Sequence, residues 1–167
     1  MRPRRLLWQI YPLYLLITAL SLAAVTWYAT RIVRGTYLKR TREELAIRAH
    51  LVEPQMASLW DTRDAEAIGT RVRRVAQDST ARITLVLPDG KILADSEEEP
   101  ASMGNHADRP EIQQALAGQV GSSVRFSDTT RQNMMYVAVP LQQQGRIAGV
   151  VRVSVPVSFV DDALGHF

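Results

Sequence analysis

The pattern of hydrophobic and polar residues divides the chain into a uniformly apolar part, a helical part and a part with strand periodicity. The first part, residues 6–29, contains no charged residue. At ~1.5 Å rise per residue, a helix of roughly 24 residues is about 36 Å long, which exceeds the ~30 Å hydrocarbon core of a bilayer. Tryptophan and tyrosine lie near both ends of this run, where interfacial aromatic belts occur. We therefore predict a transmembrane anchor.

A cleaved signal peptide is the competing interpretation of this run, because Arg2, Arg4 and Arg5 precede it. The apolar run is longer than the ~7 to 15 residues of a typical signal core, and this length favours an uncleaved anchor. A buried helix of a soluble protein would carry a polar stripe, which residues 6–29 lack. Basic residues flank both ends of the run, so charge leaves the orientation in the membrane open.

The second part of the chain has helical periodicity. Its apolar positions include a repeat of seven residues, at Leu38, Leu45 and Val52. This repeat indicates either a dimeric coiled-coil stalk or a helix that packs the same stripe inside its own domain, and both interpretations stay open. Pro54 is expected to end or kink the helix. Asp61 or Asp64 then caps a second helix that runs through Ile68 to Val75.

Beyond residue 79 apolar and polar residues alternate, which is typical of strands. Residues 83–87 and 92–95 form two such runs. Pro88, Asp89 and Gly90 stand between them, where proline presets φ and glycine permits a positive φ. We therefore predict a β-hairpin.

A short helix and three further strands follow the hairpin. Asp108 is predicted to be the helix N-cap with Glu111 three residues on, and Gly118 stops the helix. The later strands are predicted at residues 120–127, 134–141 and 147–155. In the last strand Val151, Val153 and Val155 share one face, and Arg152 and Ser154 share the other. Ser158 and Asp161 resemble the start of another helix. The fold class is therefore α+β, with a five-stranded antiparallel sheet and one inserted helix.

Composition narrows the function classes. The chain has no cysteine, which excludes disulfides, thiolate catalysis and cysteine-ligated metals. The net charge is +3, and much of the basic excess flanks the apolar run, where anionic lipid headgroups account for it. We therefore predict the lipid bilayer as a partner and no nucleic acid. About 137 residues follow the anchor, enough for one domain.

No catalytic or metal-binding constellation is present in the sequence. His50, His106 and His166 lack the spacing of a zinc protease, and neither a nucleophile elbow nor a phosphate-binding loop occurs. His106 beside Asp108 is interpreted as a solvated turn, since a lone pair of ligand-type residues seldom holds a metal. No catalytic residue, metal or cofactor is therefore assigned to this chain.

A ligand site is the one chemical hypothesis that the residues support. Arginine suits bidentate capture of a carboxylate or phosphate. We expect a small anionic or polar ligand to meet residues that converge on one side of the sheet, namely Arg109, Arg125, Arg152, Tyr136 and Asp95. The alternative is that each arginine is a solvated strand or helix charge.

Taken in order, several segments resemble the extracytoplasmic sensor region of bacterial sensor histidine kinases. The similarity is to the phosphate-regulon type, whose sensor is a single Cache or PAS-like domain. It rests on the succession and spacing of residues 82–96 (RITLVLPDGKILADS), 105–118 (NHADRPEIQQALAG), 122–130 (SSVRFSDTT), 134–141 (MMYVAVPL) and 149–156 (GVVRVSVP).

The resemblance implies a long entering helix, a central antiparallel sheet with a ligand site over it, and an exit helix. It also implies a bacterial inner-membrane location with the N-terminus cytoplasmic and the sensor domain outside. The expected organisation is a cytoplasmic tip and anchor (1–30), a helical stalk with a second helix (31–79), a Cache/PAS-like sensor domain (80–157) and the start of an exit helix (158–167).

Such kinases continue into a second span, a phosphoacceptor helix and an ATP-binding core, none of which is in this sequence. We therefore expect an N-terminal fragment of a kinase or a standalone remnant. ATP and a cognate response regulator are implied for the absent core, and a homodimer is expected. The alternatives are the sensor of a chemoreceptor or a nucleotide cyclase, or an anchored dimerisation module without a ligand.

Overall fold

The computed structural model describes residues 4–60, 64–127 and 130–157, with side chains from residue 11 onward. The chain divides into two compact units, residues 1–39 and 40–167. Helix α1 (Arg4–Trp60) contributes to both. The exit helix predicted from Ser158 onward lies outside the described residues, and the predicted domain boundaries stay a prediction.

The described part of the first unit is helical, with its large apolar side chains exposed, among them Leu16, Leu20 and Val25. The hydroxyls of Thr18 and Thr30 donate hydrogen bonds to carbonyls four residues earlier, so these polar groups are satisfied within the helix, as apolar surroundings require. Among the described residues, α1 is the one helix whose length and composition would allow it to cross a membrane.

Of the two outcomes predicted for Pro54, an end of the helix is wrong, because α1 continues to Trp60; a kink stays a prediction. Pro54 and His50 are both exposed, so water can satisfy the carbonyl that proline leaves without an N–H partner. The opposite face of α1 is buried at residues spaced three or four apart: Leu45, Ala49, Val52 and Met56. Packing of this stripe within the second unit outweighs the proline, and it supports the intramolecular interpretation for Leu45 and Val52.

Helix α2 (Ala65–Ser79) begins where predicted. The Asp64 carboxylate accepts hydrogen bonds from the backbone N–H groups of Glu66 and Ala67, which satisfies two donors of the first turn. The alternative cap, Asp61, lies outside the described residues. The helix buries Ile68, Gly69, Val72 and Val75, and α2 packs against the first two strands of the sheet.

The sheet has five antiparallel strands in the order β2-β1-β5-β4-β3. Their bounds are β1 Arg82–Val86, β2 Ile92–Asp95, β3 Gly121–Ser127, β4 Gln132–Gln143 and β5 Arg146–Pro156. The predicted α+β class with one inserted helix is confirmed, and so is the first hairpin, where Gly90 has φ +84°. The central pair β1 and β5 joins residues about 70 positions apart in the chain.

Helix α3 (Pro110–Leu116) is the inserted helix, and a short 3₁₀ helix (Pro100–Ser102) precedes it. The prediction of Asp108 as its N-cap is wrong: the cap position is Arg109, and proline occupies the first helical residue. Proline suits that position because its missing N–H has no intrahelical acceptor there. Glu111 therefore lies in the first turn, and its side chain is buried against the sheet. The predicted stop at Gly118, with φ +84°, is confirmed.

The two faces of the sheet differ in chemistry. One face is apolar and fully buried, at Ile83, Leu85, Val137, Val139, Val151 and Val153. The end of α1 packs on this face, since a Cβ added at Gly149 would lie 2.6 Å from a ring carbon of Trp60. On the other face α3 packs Ile112 and Ala115 against Val86, Ala138 and Val150. The remainder of that second face is mostly polar, with Met134 among its buried residues.

Candidate functional site

Pairing between strands assembles the polar part of the second sheet face. Arg82 on β1 and Tyr136 on β4 both pair with Ser154 on β5. One step of two residues along the sheet, Thr84 pairs with Arg152. Because side chains at alternate positions point to the same face, these residues lie side by side although they are far apart in sequence.

A cavity of about 70 Å³ opens between this face and the segment that leads into α3. Arginine dominates its wall, with β1, β3, β5 and the α3 cap position each contributing one guanidinium. The lining residues are Arg82, Met103, His106, Arg109, Arg125, Ser127, Met134, Tyr136, Arg152 and Ser154.

Asp95 lies behind this wall and anchors Arg82. Its carboxylate is fully buried and accepts bonds from Arg82 Nε at 3.0 Å and from Thr84 Oγ1 at 2.7 Å. It also accepts hydrogen bonds from the backbone N–H groups of Glu97 and Glu98, at 2.9 and 3.0 Å. A buried carboxylate with this many donors is well compensated for its desolvation. Asp95 therefore positions Arg82 and is not itself a lining residue.

Glu111 is the second buried carboxylate near the cavity. It accepts a hydrogen bond from Ser123 Oγ at 2.6 Å, and its other oxygen lies 3.4 Å from Arg125 and 3.6 Å from Arg152. Burial acts to raise the pKa of Glu111, but the bond from Ser123, a backbone hydrogen bond and the charges of Arg152 and Arg125 outweigh it and lower the pKa. Glu111 is therefore an anion at neutral pH.

Tyr136 forms the floor on which two guanidinium groups stack. The guanidinium carbon of Arg125 lies 4.1 Å from the ring centroid, and that of Arg152 lies 5.0 Å from it. Cations within about 6 Å of an aromatic centroid are attracted by the ring quadrupole. Stacking holds the arginines in place while leaving their in-plane N–H groups available to other acceptors.

Several of these N–H groups have no hydrogen-bond partner within the described protein. The buried atoms without one include Nε of Arg109, Arg125 and Arg152, NH1 of Arg152, Nδ1 of His106 and Oγ of Ser154. Four arginines line the cavity, and the buried carboxylates beside them are Asp95 and Glu111. Two exposed carboxylates, Glu97 and Asp108, lie 3.6 and 3.5 Å from Arg82 and Arg109 on the solvent side. The buried part of the site therefore has more cations than anions and has unused donors, which is the chemistry that recognises an anion.

Burial and the neighbouring charges shift the pKa values of His106 and Arg152. Burial lowers the pKa of His106 from 6.5 to about 4, and the charges of Arg152, Arg109 and Arg125 act in the same direction, opposed by Glu111. His106 is therefore neutral at pH 7. Burial also lowers the pKa of Arg152, to about 10, although Glu111 opposes it. Arg152 stays charged at pH 7.

Four of the five predicted ligand residues line one cavity: Arg109, Arg125, Tyr136 and Arg152. The fifth, Asp95, lies behind it. Sequence reasoning missed the other six lining residues, which are Arg82, Met103, His106, Ser127, Met134 and Ser154. Arg82 and Ser154 belong to the same alternating face as Arg152, so the register between β1 and β5 would have identified them, whereas His106 sits in a loop with no periodic signal.

An open groove of about 380 Å³ adjoins the cavity and shares Arg82, Met134 and Ser154 with it. Its other side is formed by the end of α2, including Arg73 and Gln77. In the part of the chain that the structure describes, no group of three His, Asp or Glu side chains could hold a metal ion.

Sensor domains of a histidine kinase and of chemoreceptors are among the solved structures with this fold. The sensor domain of the V. cholerae histidine kinase DctB superposes with a TM-score of 0.66 at 20% identity. The ligand-binding domain of the Campylobacter jejuni chemoreceptor Tlp3, in complex with L-valine, gives 0.55 at 17%. That of the Pseudomonas fluorescens chemoreceptor CtaA, in complex with L-alanine, gives 0.58 at 16%. At these identities the likeness establishes the fold.

The alignments cover most of this chain but only part of each neighbour. They include 84%, 80% and 78% of this chain, against 58% of the DctB domain, 65% of the Tlp3 domain and 59% of the CtaA domain. A comparison with curated protein sequences finds no match. The single Cache-like family, by contrast, matches residues 37–156, which is more than half of the chain. The protein belongs to the single Cache-like family.

Proposed function

We propose that this protein is a membrane-anchored sensor module that binds a small anionic or polar ligand in the cavity over its sheet. The observation that carries the proposal is the set of buried N–H donors on Arg109, Arg125 and Arg152 that have no hydrogen-bond partner, around a cavity with Tyr136 at its floor. Unpaired buried donors cost stability, and an anion with several acceptor oxygens would satisfy them together.

Family and fold support a sensing role for this site. The neighbours with the same fold are sensor domains of a histidine kinase and of chemoreceptors, and two of them hold amino acids. The alternative of an anchored dimerisation module without a ligand predicts a filled sheet face, and the polar cavity weighs against it.

The output that we favour is a two-component histidine kinase of the phosphate-regulon sensor type, with ATP and a response regulator acting at a kinase core outside this sequence. The segment resemblance supports this choice, and the alternative outputs are a chemoreceptor or a nucleotide cyclase. Because a histidine kinase and chemoreceptors share the sensor fold, the discriminating observation is the coding sequence downstream of residue 167.

The proposed location is the bacterial inner membrane, with α1 as the anchor and the sensor domain outside. We further propose a homodimer. Ile47 and Leu51 support it, since they are 62% and 66% exposed one helical turn apart on α1, where a second copy could cover them. Ligand binding would then shift α1 relative to the exit helix by the ~1 to 2 Å typical of such transitions.

The test measures thermal unfolding of the full chain in detergent micelles with a panel of probes: acetate, succinate, inorganic phosphate, L-alanine and L-valine. Binding at about 100 times the dissociation constant stabilises the native state by ~2.7 kcal/mol, which raises the melting temperature by roughly 10 °C for a domain of about 100 residues. The Arg109→Gln variant removes one lining guanidinium and should lose most of this shift.

Arg146→Gln is the matched control, because Arg146 is an exposed arginine at the start of β5 and does not line the cavity. It should respond to the same probes as the wild type. The proposal fails if no probe stabilises the protein, or if Arg109→Gln binds as tightly as the control.

A further inference from the structure

The Glu111 carboxylate occupies an unusual position beside the cavity. It is fully buried, it lies within 4 Å of Arg125 and Arg152, and it is not among the residues that line the cavity. A charged group in this position neutralises cavity-facing cations without contacting a ligand itself. Its role in ligand binding is therefore exerted through the two arginines.

The two ion pairs of Glu111 are long. Strong charge-assisted bonds between nitrogen and a carboxylate oxygen measure about 2.7 to 2.9 Å, whereas Arg125 and Arg152 approach to 3.4 and 3.6 Å. Arg152 NH1 makes no hydrogen bond, although it is the Arg152 nitrogen that forms the ion pair with the carboxylate. Both guanidinium groups are thus attracted by Glu111 but not saturated by it.

The carboxylate of Glu111 is fixed more firmly than the guanidinium of Arg125. Ser123 Oγ holds it at 2.6 Å, and the backbone of Glu111 packs so closely on β3 that a Cβ added at Gly121 would overlap its carbonyl. Arg125, by contrast, is 27% exposed and stacks on Tyr136. Arg152 is buried and donates a hydrogen bond from NH2 to Thr84 Oγ1 at 3.1 Å, but its NH1 has no such partner. A change in the pairing therefore moves the Arg125 guanidinium most, while Glu111 stays in place.

We propose that Glu111 is a built-in counter-anion that competes with the bound anion for the guanidinium groups of Arg125 and Arg152, and so sets the affinity of the site. The inference rests on the proposed function, namely that the cavity binds an anion. In the ligand-free protein Glu111 partly neutralises both arginines. A ligand anion draws their N–H groups into the cavity and must overcome this attraction.

The test compares dissociation constants of acetate and inorganic phosphate for the full chain and for Glu111→Gln, by isothermal titration calorimetry in micelles. Glutamine keeps the volume and an oxygen that can accept from Ser123 but removes the competing charge. The variant should bind the probes at least roughly fivefold more tightly, within the range of site-to-site coupling. If Glu111 merely orients the arginines, the variant binds more weakly.

Ser123→Ala is the matched control, since it removes a contact of the carboxylate without removing its charge. It should lower the melting temperature without tightening ligand binding. Glu111→Asp covers the case in which the glutamine variant does not fold: it keeps the charge but withdraws it by one methylene, so binding should tighten by a smaller factor.

A ligand-free measurement tests the same idea separately. In a double-mutant cycle of Glu111→Gln and Arg125→Met, the loss of Arg125 should lower the melting temperature less when Glu111 is already neutral. Strict additivity overturns the inference, and so does probe binding that is unchanged or weaker in Glu111→Gln. Absence of probe binding to wild type and variants alike, with coupling intact, instead contradicts the proposed function.

Discussion

His106 makes the stability of the sensor domain depend on pH in a way that can be calculated. In the folded protein burial and the nearby charges of Arg152, Arg109 and Arg125 lower its pKa from 6.5 to about 4. The unfolded chain therefore binds more protons than the native state between these two values. The contribution of neutral His106 to the free energy of unfolding is fully present above pH 6.5 and is lost as the pH falls toward 4.

The magnitude follows from the two pKa values. Between pH 7 and pH 5.5, protonation of the unfolded state alone lowers the free energy of unfolding by about 1.2 kcal/mol. Solvent screening reduces such effects for a site that opens to a cavity, so we expect a loss of about 0.6 kcal/mol. The variant His106→Gln cannot titrate in this range and should not show this loss.

The assay is urea unfolding of the full chain in micelles, followed by circular dichroism from pH 5.5 to pH 8. Other titrating groups contribute equally to both proteins, so the difference between wild type and His106→Gln isolates the histidine. The free energy of unfolding of the wild type minus that of the variant should decrease on acidification, because only the wild type loses stability through protonation of His106 in the unfolded chain. Parallel pH profiles for the two proteins would refute the assignment of a depressed pKa to His106.

Two further substitutions test what holds the site and the core together. Asp95→Asn leaves the buried Arg82 without its full counter-charge and should lower the free energy of unfolding by about 3 kcal/mol, whereas Asp89→Asn, in an exposed pair with Lys91, should leave the urea midpoint nearly unchanged. Ile112→Ala empties a fully buried position between α3 and the sheet and should cost about 3 kcal/mol, while Gln113→Ala on the exposed face of the same helix should cost little. Equal losses within either pair would contradict the burial and pairing described above.

Signals from neighbouring residues in the sequence predicted the strands well. They did not predict features that depend on tertiary packing. The Pro88-Asp89-Gly90 turn and the alternation around it identified the first hairpin, because both depend on neighbouring residues. Strand β4 (Gln132–Gln143) extends two residues beyond its predicted range at each end. The added residues are polar, with low intrinsic strand preference, and they are held by register with β3 and β5.

The ligand site was partly predictable for the same reason. Residues on one face of one strand, such as Arg152 and Ser154, follow from the period of two. Arg82 joins them only through the pairing of β1 with β5, and sequence spacing carries no signal for a contact across some 70 residues. The sequence did not predict that Glu111 is buried, since a glutamate near a helix start normally indicates a capping box.

The sheet itself connects the candidate ligand site to α1. On β5, Arg152 faces the cavity while its neighbours Val151 and Val153 face the apolar side, where Trp60 of α1 packs over Gly149. Close-packed interiors transmit small displacements because they have little free volume to absorb them. An anion that draws Arg152 away from Glu111 toward the cavity would therefore displace the strand against which α1 packs. The competition at Glu111 and the proposed movement of α1 would then be coupled through one strand, β5.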